Sequence, residues 1–313
     1  MQEEIIISGR DLPFIDPSLN LWHWPIPVYL FLGGLAAGIL FFASLYTIQG
    51  KEDEMPATVK WSTFLAPFAL VLGLAALFID LKNQWNFWRL YTTIRLESPM
   101  SWGAWTLMAI TPLSVIWAAS YLRELIPSWD WKLGILNRFN DWVQINRKGI
   151  AWVMIVLSVI LGVYTGILLS AFNARPLWNT ALLGPLFFVS ALSTGIAVII
   201  WMSKDHNEKK RLLKIDILLI AIELFLIVHL FMGFLAGPAV QVEATELFLG
   251  GPFTLLFWGL VVVMGLLIPV ALEILELRGI KIPTFIPAFL ILAGGLIFRI
   301  IVVEAGEITR YLY

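Results

Sequence analysis

The sequence predicts an all-α integral membrane protein: eight transmembrane helices in two four-helix bundles, with both termini outside the cytoplasm. Three observations lead there. Eight long apolar segments run over 25–49, 60–82, 101–123, 149–173, 178–203, 212–236, 252–276 and 283–304, each long enough for the ~20 residues with which a helix crosses a ~30 Å hydrocarbon layer. The chain is 59% hydrophobic and 14% charged, with a mean hydropathy of +0.85, where soluble domains sit near half apolar and a quarter charged. Its basic residues also fall mostly on one side of the segments. Backbone polar groups find no water in hydrocarbon, so each segment must satisfy them internally as a helix.

The basic residues set the orientation. Of the 21 Lys and Arg, fourteen flank the connections after spans 1, 3, 5 and 7, six lie on the other side, and Arg299 lies within span 8. Cytoplasmic loops carry the excess of positive charge, which places both termini outside. An even number of spans agrees with that. Trp22, Trp24, Trp85, Trp88, Trp102, Trp129, Trp131, Trp142 and Trp178 fall at or near the segment ends, where aromatic belts anchor helices at membrane surfaces.

Span 1 follows an acidic leader, MQEEIIISGRDLPF, without the basic start of a signal peptide, and is expected to be retained. It contains FLGGLAAG (Phe31–Gly38). Span 2 carries Asp80 near its outer end. An outer stretch, 83–100, then mixes Trp, Phe, Tyr and Arg, and it reads either as a protein interface or as a segment lying on the membrane. Span 3 begins in SPMSWGAW and holds Pro112. The inner connections read as charged and ordinary. Span 4 ends in YTGILLSAFNARPLWN. Span 5 contains FVSALSTG (Phe188–Gly195), which has small residues at offsets matching those of span 1. Small residues let helices approach closely in lipid. The likeness is either chance or the trace of a duplicated four-helix unit, dividing the chain into an outer N-terminal segment 1–24, a first bundle 25–173 and a second bundle 174–313.

Spans 6 to 8 carry most of the ionisable residues at membrane depth. Asp216 and Glu223, seven residues apart, share a stripe of span 6, with His229 nearer its outer end. Span 7 holds Pro269 and ends in Glu273 and Glu276, which read as solvated or locally paired beside Arg278. Arg299 and Glu304 lie in the outer half of span 8, about 140° apart on the helix, so each needs a partner elsewhere. Asp80 and Glu304 are at similar depth and could share Arg299 or a water cluster. Intramembrane charges of this kind are either structural ion pairs or a proton relay; the candidates for the relay are Asp80, Arg299, Glu304, Glu223 and His229.

Composition narrows the function. A net charge of −1 gives no general attraction to nucleic acid. The chain has no cysteine and one histidine within the spans, His229, so no iron–sulfur cluster and no haem of its own is expected; a cytochrome b anchor needs paired histidines for each haem. A secondary transporter or proton channel remains an alternative, favoured by the internal likeness and the buried charges. Near the outer ends of spans 1, 2 and 4, Tyr164, Tyr29, His23 and Asp80 could offer hydrogen bonds and a proton-exchanging group beside an apolar cleft. His23 is the one whose ordinary pKa suits proton exchange near neutrality.

WHWPIPVYLFLGGLAAG opening span 1, SPMSWGAW (Ser98–Trp105) and YTGILLSAFNARPLWN (Tyr164–Asn179) together resemble the NrfD-like family, which includes the membrane subunit of polysulfide reductase. The resemblance covers essentially the whole chain. It implies a membrane anchor in the cytoplasmic membrane of a prokaryote, binding menaquinone or ubiquinone near the outer face of the first bundle. It also implies a ferredoxin-like iron–sulfur subunit docked on the outer loops, and a molybdopterin or other catalytic subunit beyond it. Tyr164 matches the family's quinone-bonding tyrosine, and Asp80 an acidic position in span 2. Ile26 and Tyr29 stand where the family has asparagine and histidine; Tyr29 can still donate a hydrogen bond and Ile26 cannot. The outer loops 83–100, 173–178 and 237–251 are then the docking surface, with Arg89, Arg95 and Arg175 as its cations.

Overall fold

A computed structural model describes residues 22–126 and 134–309. Trp129, Trp131, most of the N-terminal segment 1–24 and residues 310–313 lie outside the described residues. Eight helices are long and apolar enough to cross a membrane: Pro25–Ile48, Ala57–Asp80, Pro99–Glu124, Arg147–Ser170, Leu183–Met202, His206–Leu235, Leu255–Leu277 and Phe285–Ile308. They are spans 1 to 8, and the face on which span 1 begins is called outer, after the predicted orientation.

Local chemistry explains the boundaries. Spans 1, 3, 5 and 8 carry proline in their first turn, where no intrahelical N–H is required. Span 5 starts later than hydropathy suggests because residues 173–182 form turns, with Arg175 N–H donating to the Phe172 carbonyl at 3.0 Å. Span 6 starts earlier, capped by the Asp205 carboxylate, which accepts from Asn207 N–H at 3.1 Å. Pro112 is accommodated inside the helix of span 3. In span 7 a π-helix over Leu255–Leu267 gives way to an α-helix at Ile268–Leu277. Pro269 sits in the first turn of that α-helix. A long π-helix is rare.

Spans 1 and 5 form the centre. Span 1 packs on spans 2, 4, 5 and 8, and span 5 on spans 1, 4, 6 and 8. The two small-residue motifs meet there. A Cβ on Gly38 would lie 2.1 Å from the Ala191 carbonyl oxygen, and one on Gly195 would lie 2.6 Å from the Gly38 carbonyl carbon. Spans 7 and 8 touch through Gly265 and Gly294 in the same way. The buried apolar side chains form one continuous cluster drawn from all eight spans. Large apolar side chains such as Phe68, Leu72, Leu218, Phe225 and Phe289 point outward, where hydrocarbon would meet them.

Polar side chains tie the two faces. On the inner face the buried Glu208 carboxylate accepts from Ala57 N–H (3.2 Å), Thr58 N–H (2.8 Å), the Thr58 hydroxyl (2.7 Å) and the Ser203 hydroxyl (2.8 Å). This joins the start of span 2 to the start of span 6. On the outer face Trp22 N–H donates to Glu307 (2.7 Å) and the Trp178 indole to the Val302 carbonyl (2.8 Å). Trp178 is therefore buried, not a surface anchor as expected. It stacks on Trp22 at 5.2 Å.

The inner connection between spans 3 and 4 is also not the ordinary charged loop expected. It holds an amphipathic helix, Gly134–Ile145, whose polar side bonds the protein. Arg123 pairs with Asp141 at 3.3 Å, and the Gln144 amide donates to the Ser120 carbonyl at 2.6 Å. Ile135, Phe139, Trp142 and Ile145 point away.

Candidate functional site: a tyrosine cavity and a buried polar centre

Near the outer face, spans 1, 2, 3 and 4 enclose a cavity of about 120 Å³ whose walls include Tyr29, Asp80, Tyr91, Tyr164, Leu81 and Leu90. Its construction can be followed from the sequence. Span 4 presents Tyr164 and span 1 presents Tyr29. The two phenols are buried and face one another within hydrogen-bonding reach. Gly103 of span 3 makes room for the Tyr164 ring: a Cβ there would lie 1.9 Å from Tyr164 Cζ and 2.3 Å from its hydroxyl oxygen.

The rest of SPMSWGAW fixes the outer wall. The Trp105 indole donates to the Tyr91 carbonyl (3.2 Å), the Trp102 indole to the Leu96 carbonyl (2.9 Å) and the Ser101 hydroxyl to the Thr93 carbonyl (3.3 Å). These bonds hold the 83–98 segment over the cavity. Burial pushes the Tyr91 phenol above its ordinary pKa, so it stays a neutral donor. Asp80 is half-buried at the end of span 2, with His23 close enough to act on its charge.

Of the four residues the sequence singled out here, Tyr164, Tyr29 and Asp80 line one cavity, while His23 is exposed beside Asp80 and outside the lining. Trp22, Tyr91 and Met100 also line it and were not anticipated. Their signal was available in part, since Met100 lies within the SPMSWGAW motif that builds the wall and Tyr91 lies in the aromatic stretch before it.

A second polar centre lies among spans 5 to 8. Arg299 is 1% exposed. Its guanidinium donates to the Ser190 hydroxyl (2.7 Å), the Gly295 carbonyl (3.0 Å) and the Phe187 carbonyl (3.2 Å), and lies over the Phe187 ring at 5.0 Å. The buried Glu223 carboxylate bonds Ser190 and faces Arg299. One heptad nearer the inner face, Asp216, fully buried, accepts from the Ser193 hydroxyl at 2.6 Å. It meets the Glu273 carboxyl, itself 1% exposed. Asp216 Oδ2 and Glu273 Oε2 have no further partner. Glu276 lies beyond, near Lys209 and His206 at the inner surface.

This centre corrects several expectations. Arg299 meets Glu223 rather than Asp80 or Glu304. Glu304 is exposed on the outside of span 8, and the acid of that turn that points inward is Glu307, bonded to Trp22. His229 is exposed too, with Nδ1 2.9 Å from the Phe225 carbonyl and its ring 3.9 Å from the Phe225 ring. Glu273, expected to be solvated or locally paired beside Arg278, is buried against Asp216. Among the docking cations, Arg89 and Arg95 are exposed. Arg175 is buried and donates to the Thr309 carbonyl, because the RPLW turn folds inward under the end of span 8.

The family described as polysulphide reductase, NrfD, matches residues 13–310. Protein NrfD of Escherichia coli K12 is 33% identical over 306 residues, covering 92% of this chain and 96% of that protein. A polysulfide reductase chain of Wolinella succinogenes is 31% identical over 301 residues, covering 92% and 94%. A selenate reductase subunit of Mesobacillus selenatarsenatis is 25% identical over 291 residues, covering 80% and 67%.

Proposed function

Because the chain belongs to the NrfD family, we propose that it is the quinone-binding membrane subunit of a multi-subunit reductase, exchanging electrons between the membrane quinone pool and an outer iron–sulfur subunit. Two relatives are by name components of polysulfide and selenate reductases, which supports a membrane subunit of such a complex. The observation that carries the quinone reading is the pair of buried tyrosine hydroxyls facing one another, with Asp80 and Tyr91, in a largely apolar cavity at one membrane face. Ligand sites are typically apolar with a few placed polar groups.

A bound menaquinone or ubiquinone supplies the redox chemistry, taking up or releasing electrons and protons at its two ring oxygens. The protein's own residues do the rest. Tyr164 donates a hydrogen bond to one ring oxygen, and the Tyr29 hydroxyl beside it in the same lining is placed to bind there too. Asp80 accepts or returns the proton and exchanges it with the outer surface past His23. Leu81, Leu90 and Met100 keep bulk water away. The iron–sulfur partner is a ferredoxin-like protein seated on the outer loops, with a molybdopterin or other catalytic subunit beyond it. The membrane is the cytoplasmic membrane of a prokaryote, and the first bundle, 25–173, holds the site.

The second centre favours proton transfer coupled to turnover. Glu223, Asp216 and Glu273 sit along span 6 and its neighbour span 7, with hydroxyls of Ser190 and Ser193 between them and Arg299 at the deep end. Buried acids in a membrane interior are costly and commonly mark proton paths. The reading makes Arg299, Glu223, Asp216 and Glu273 its carriers.

Tyr164→Phe tests the quinone site with little change in packing. One lost hydrogen bond is worth roughly 0.5–1.5 kcal/mol, a fall of about two- to tenfold in quinone-linked turnover. Electron transfer between the partner subunits and an artificial dye should stay normal. If Tyr164→Phe leaves quinone turnover and inhibitor affinity unchanged, the quinone binds elsewhere.

A further inference from the structure

Two apolar grooves on the membrane side adjoin the tyrosine cavity, and they differ in how they connect to it. One, about 430 Å³, lies between spans 3 and 4 along Trp102, Ile160 and Ile167, and shares only Tyr164 with the cavity. The other, about 290 Å³, lies between the outer end of span 2 and the 84–92 segment. It shares Leu77, Leu81, Leu90 and Tyr91 with the cavity, so these four side chains are a common wall. Its remaining walls, Leu74, Ala75, Phe78 and Phe87, are apolar, and the last three are exposed toward hydrocarbon.

We propose that the isoprenoid tail of the quinone leaves the cavity through this span 2 groove, and that residues 84–92 form the side door through which the quinone passes between bilayer and site. The proposal rests on the quinone reading above. The groove's chemistry suits a branched hydrocarbon tail, since Tyr91 is its one polar side chain. The door is built asymmetrically. Its far end is pinned to span 3 by the Trp105 indole on the Tyr91 carbonyl. Over span 2 it rests on an edge-to-face contact between Phe87 and Phe78, with ring centroids 5.8 Å apart. In hydrocarbon such a contact is readily exchanged for a lipid or prenyl tail, because lipid tails are as apolar as the side chains they replace. Phe87 and Leu90 then swing about the end pinned at Tyr91, while Tyr29, Tyr164 and Asp80 stay on the spans.

The protein has no cysteine, so Phe78→Cys with Phe87→Cys introduces a unique pair. In the assembled complex, a short reducible bis-thiosulfonate bridge between them should slow turnover with a long-tailed menaquinol by about tenfold or more. Turnover with a tail-less quinol and with dye should be spared, and a reductant should restore the long-tailed rate. Ala75→Trp, which fills the groove without touching the cavity, should raise the KM for the long-tailed quinol alone. The proposal is overturned if the bridge leaves the long-tailed rate unchanged or slows both quinols alike. It is also overturned if Ile160→Trp, in the other groove, produces the tail-length effect instead. A complex that turns over neither quinol before bridging removes the quinone reading itself.

Discussion

Gly103 decides where the Tyr164 ring can lie. The ring occupies the space that a side chain on span 3 would need, and a methyl group there would sit 1.9 Å from Cζ. Gly103→Ala must therefore displace the phenol, with an overpacking cost of about 1–3 kcal/mol. Its hydroxyl then misses the position held in the cavity. Quinone-site inhibitor affinity should fall about tenfold. Adding Tyr164→Phe should change little more, because the two act on one hydroxyl. Additive losses would show that Gly103 acts apart from Tyr164. Arg299 makes a different case. It and Glu223 are buried together around Ser190, and removing one member of such a pair costs about 3–5 kcal/mol by leaving the other charge uncompensated. Arg299→Leu should lower the unfolding temperature in detergent sharply, and Glu223→Gln in the same protein should recover much of the loss. No recovery would mean that the Arg299 bonds to Phe187 and Gly295 carry the stability. At this scale the sequence was most legible where a motif carries the residue: Tyr164, Tyr29 and Asp80 do converge. Depth along a helix was legible, but not direction. Glu304 and His229 lie at plausible depths and point outward, and Glu273 lies near a helix end yet turns inward.

At the scale of the element, hydropathy located all eight spans, because hydrocarbon imposes length and apolarity directly on sequence. It did not set their ends where polar groups intervene, as at the Asp205 cap and the RPLW turn. Nor did it show the π winding of span 7, which has no periodic signature among residues that are apolar all round. Composition marks the 83–100 segment as a protein interface or a membrane-surface element, and its aromatic and arginine side chains are largely exposed. Trp85 is 91% exposed, and Arg89 lies 5.6 Å over the Trp88 ring on the outer surface. Leu90 and Tyr91 face the cavity. Arg89→Glu with Arg95→Glu reverses two exposed charges without touching that wall. If the proposed iron–sulfur partner docks here, most of it should then be lost from washed membranes, and quinone-linked turnover with it. An intact complex after both changes would assign the segment to the lipid surface alone.

At the scale of the whole molecule, the central packing of spans 1 and 5 joins the two halves expected on either side of residue 174. The motifs FLGGLAAG and FVSALSTG form that interface, since their glycines touch. Opposite faces are then closed by different means: a buried Glu208 joins spans 2 and 6 on one, and Trp22, Trp178 and Arg175 grip span 8 on the other. The face with Glu208 also carries the basic cluster Lys209, Lys210, Arg211 and Lys214 and the amphipathic helix Gly134–Ile145, whose outward Phe139 and Trp142 suit a headgroup layer. The tyrosine cavity opens near the other face. Fourteen basic residues against six should fix this arrangement with the cavity outside and the buried acids of span 6 leading inward. Single cysteines at Ser18 and Ser128, in a protein with none of its own, give a direct reading. An impermeant thiol reagent on intact cells should label Ser18→Cys strongly and Ser128→Cys only after the membrane is opened. The reverse pattern would put the quinone site on the cytoplasmic face and the iron–sulfur partner with it.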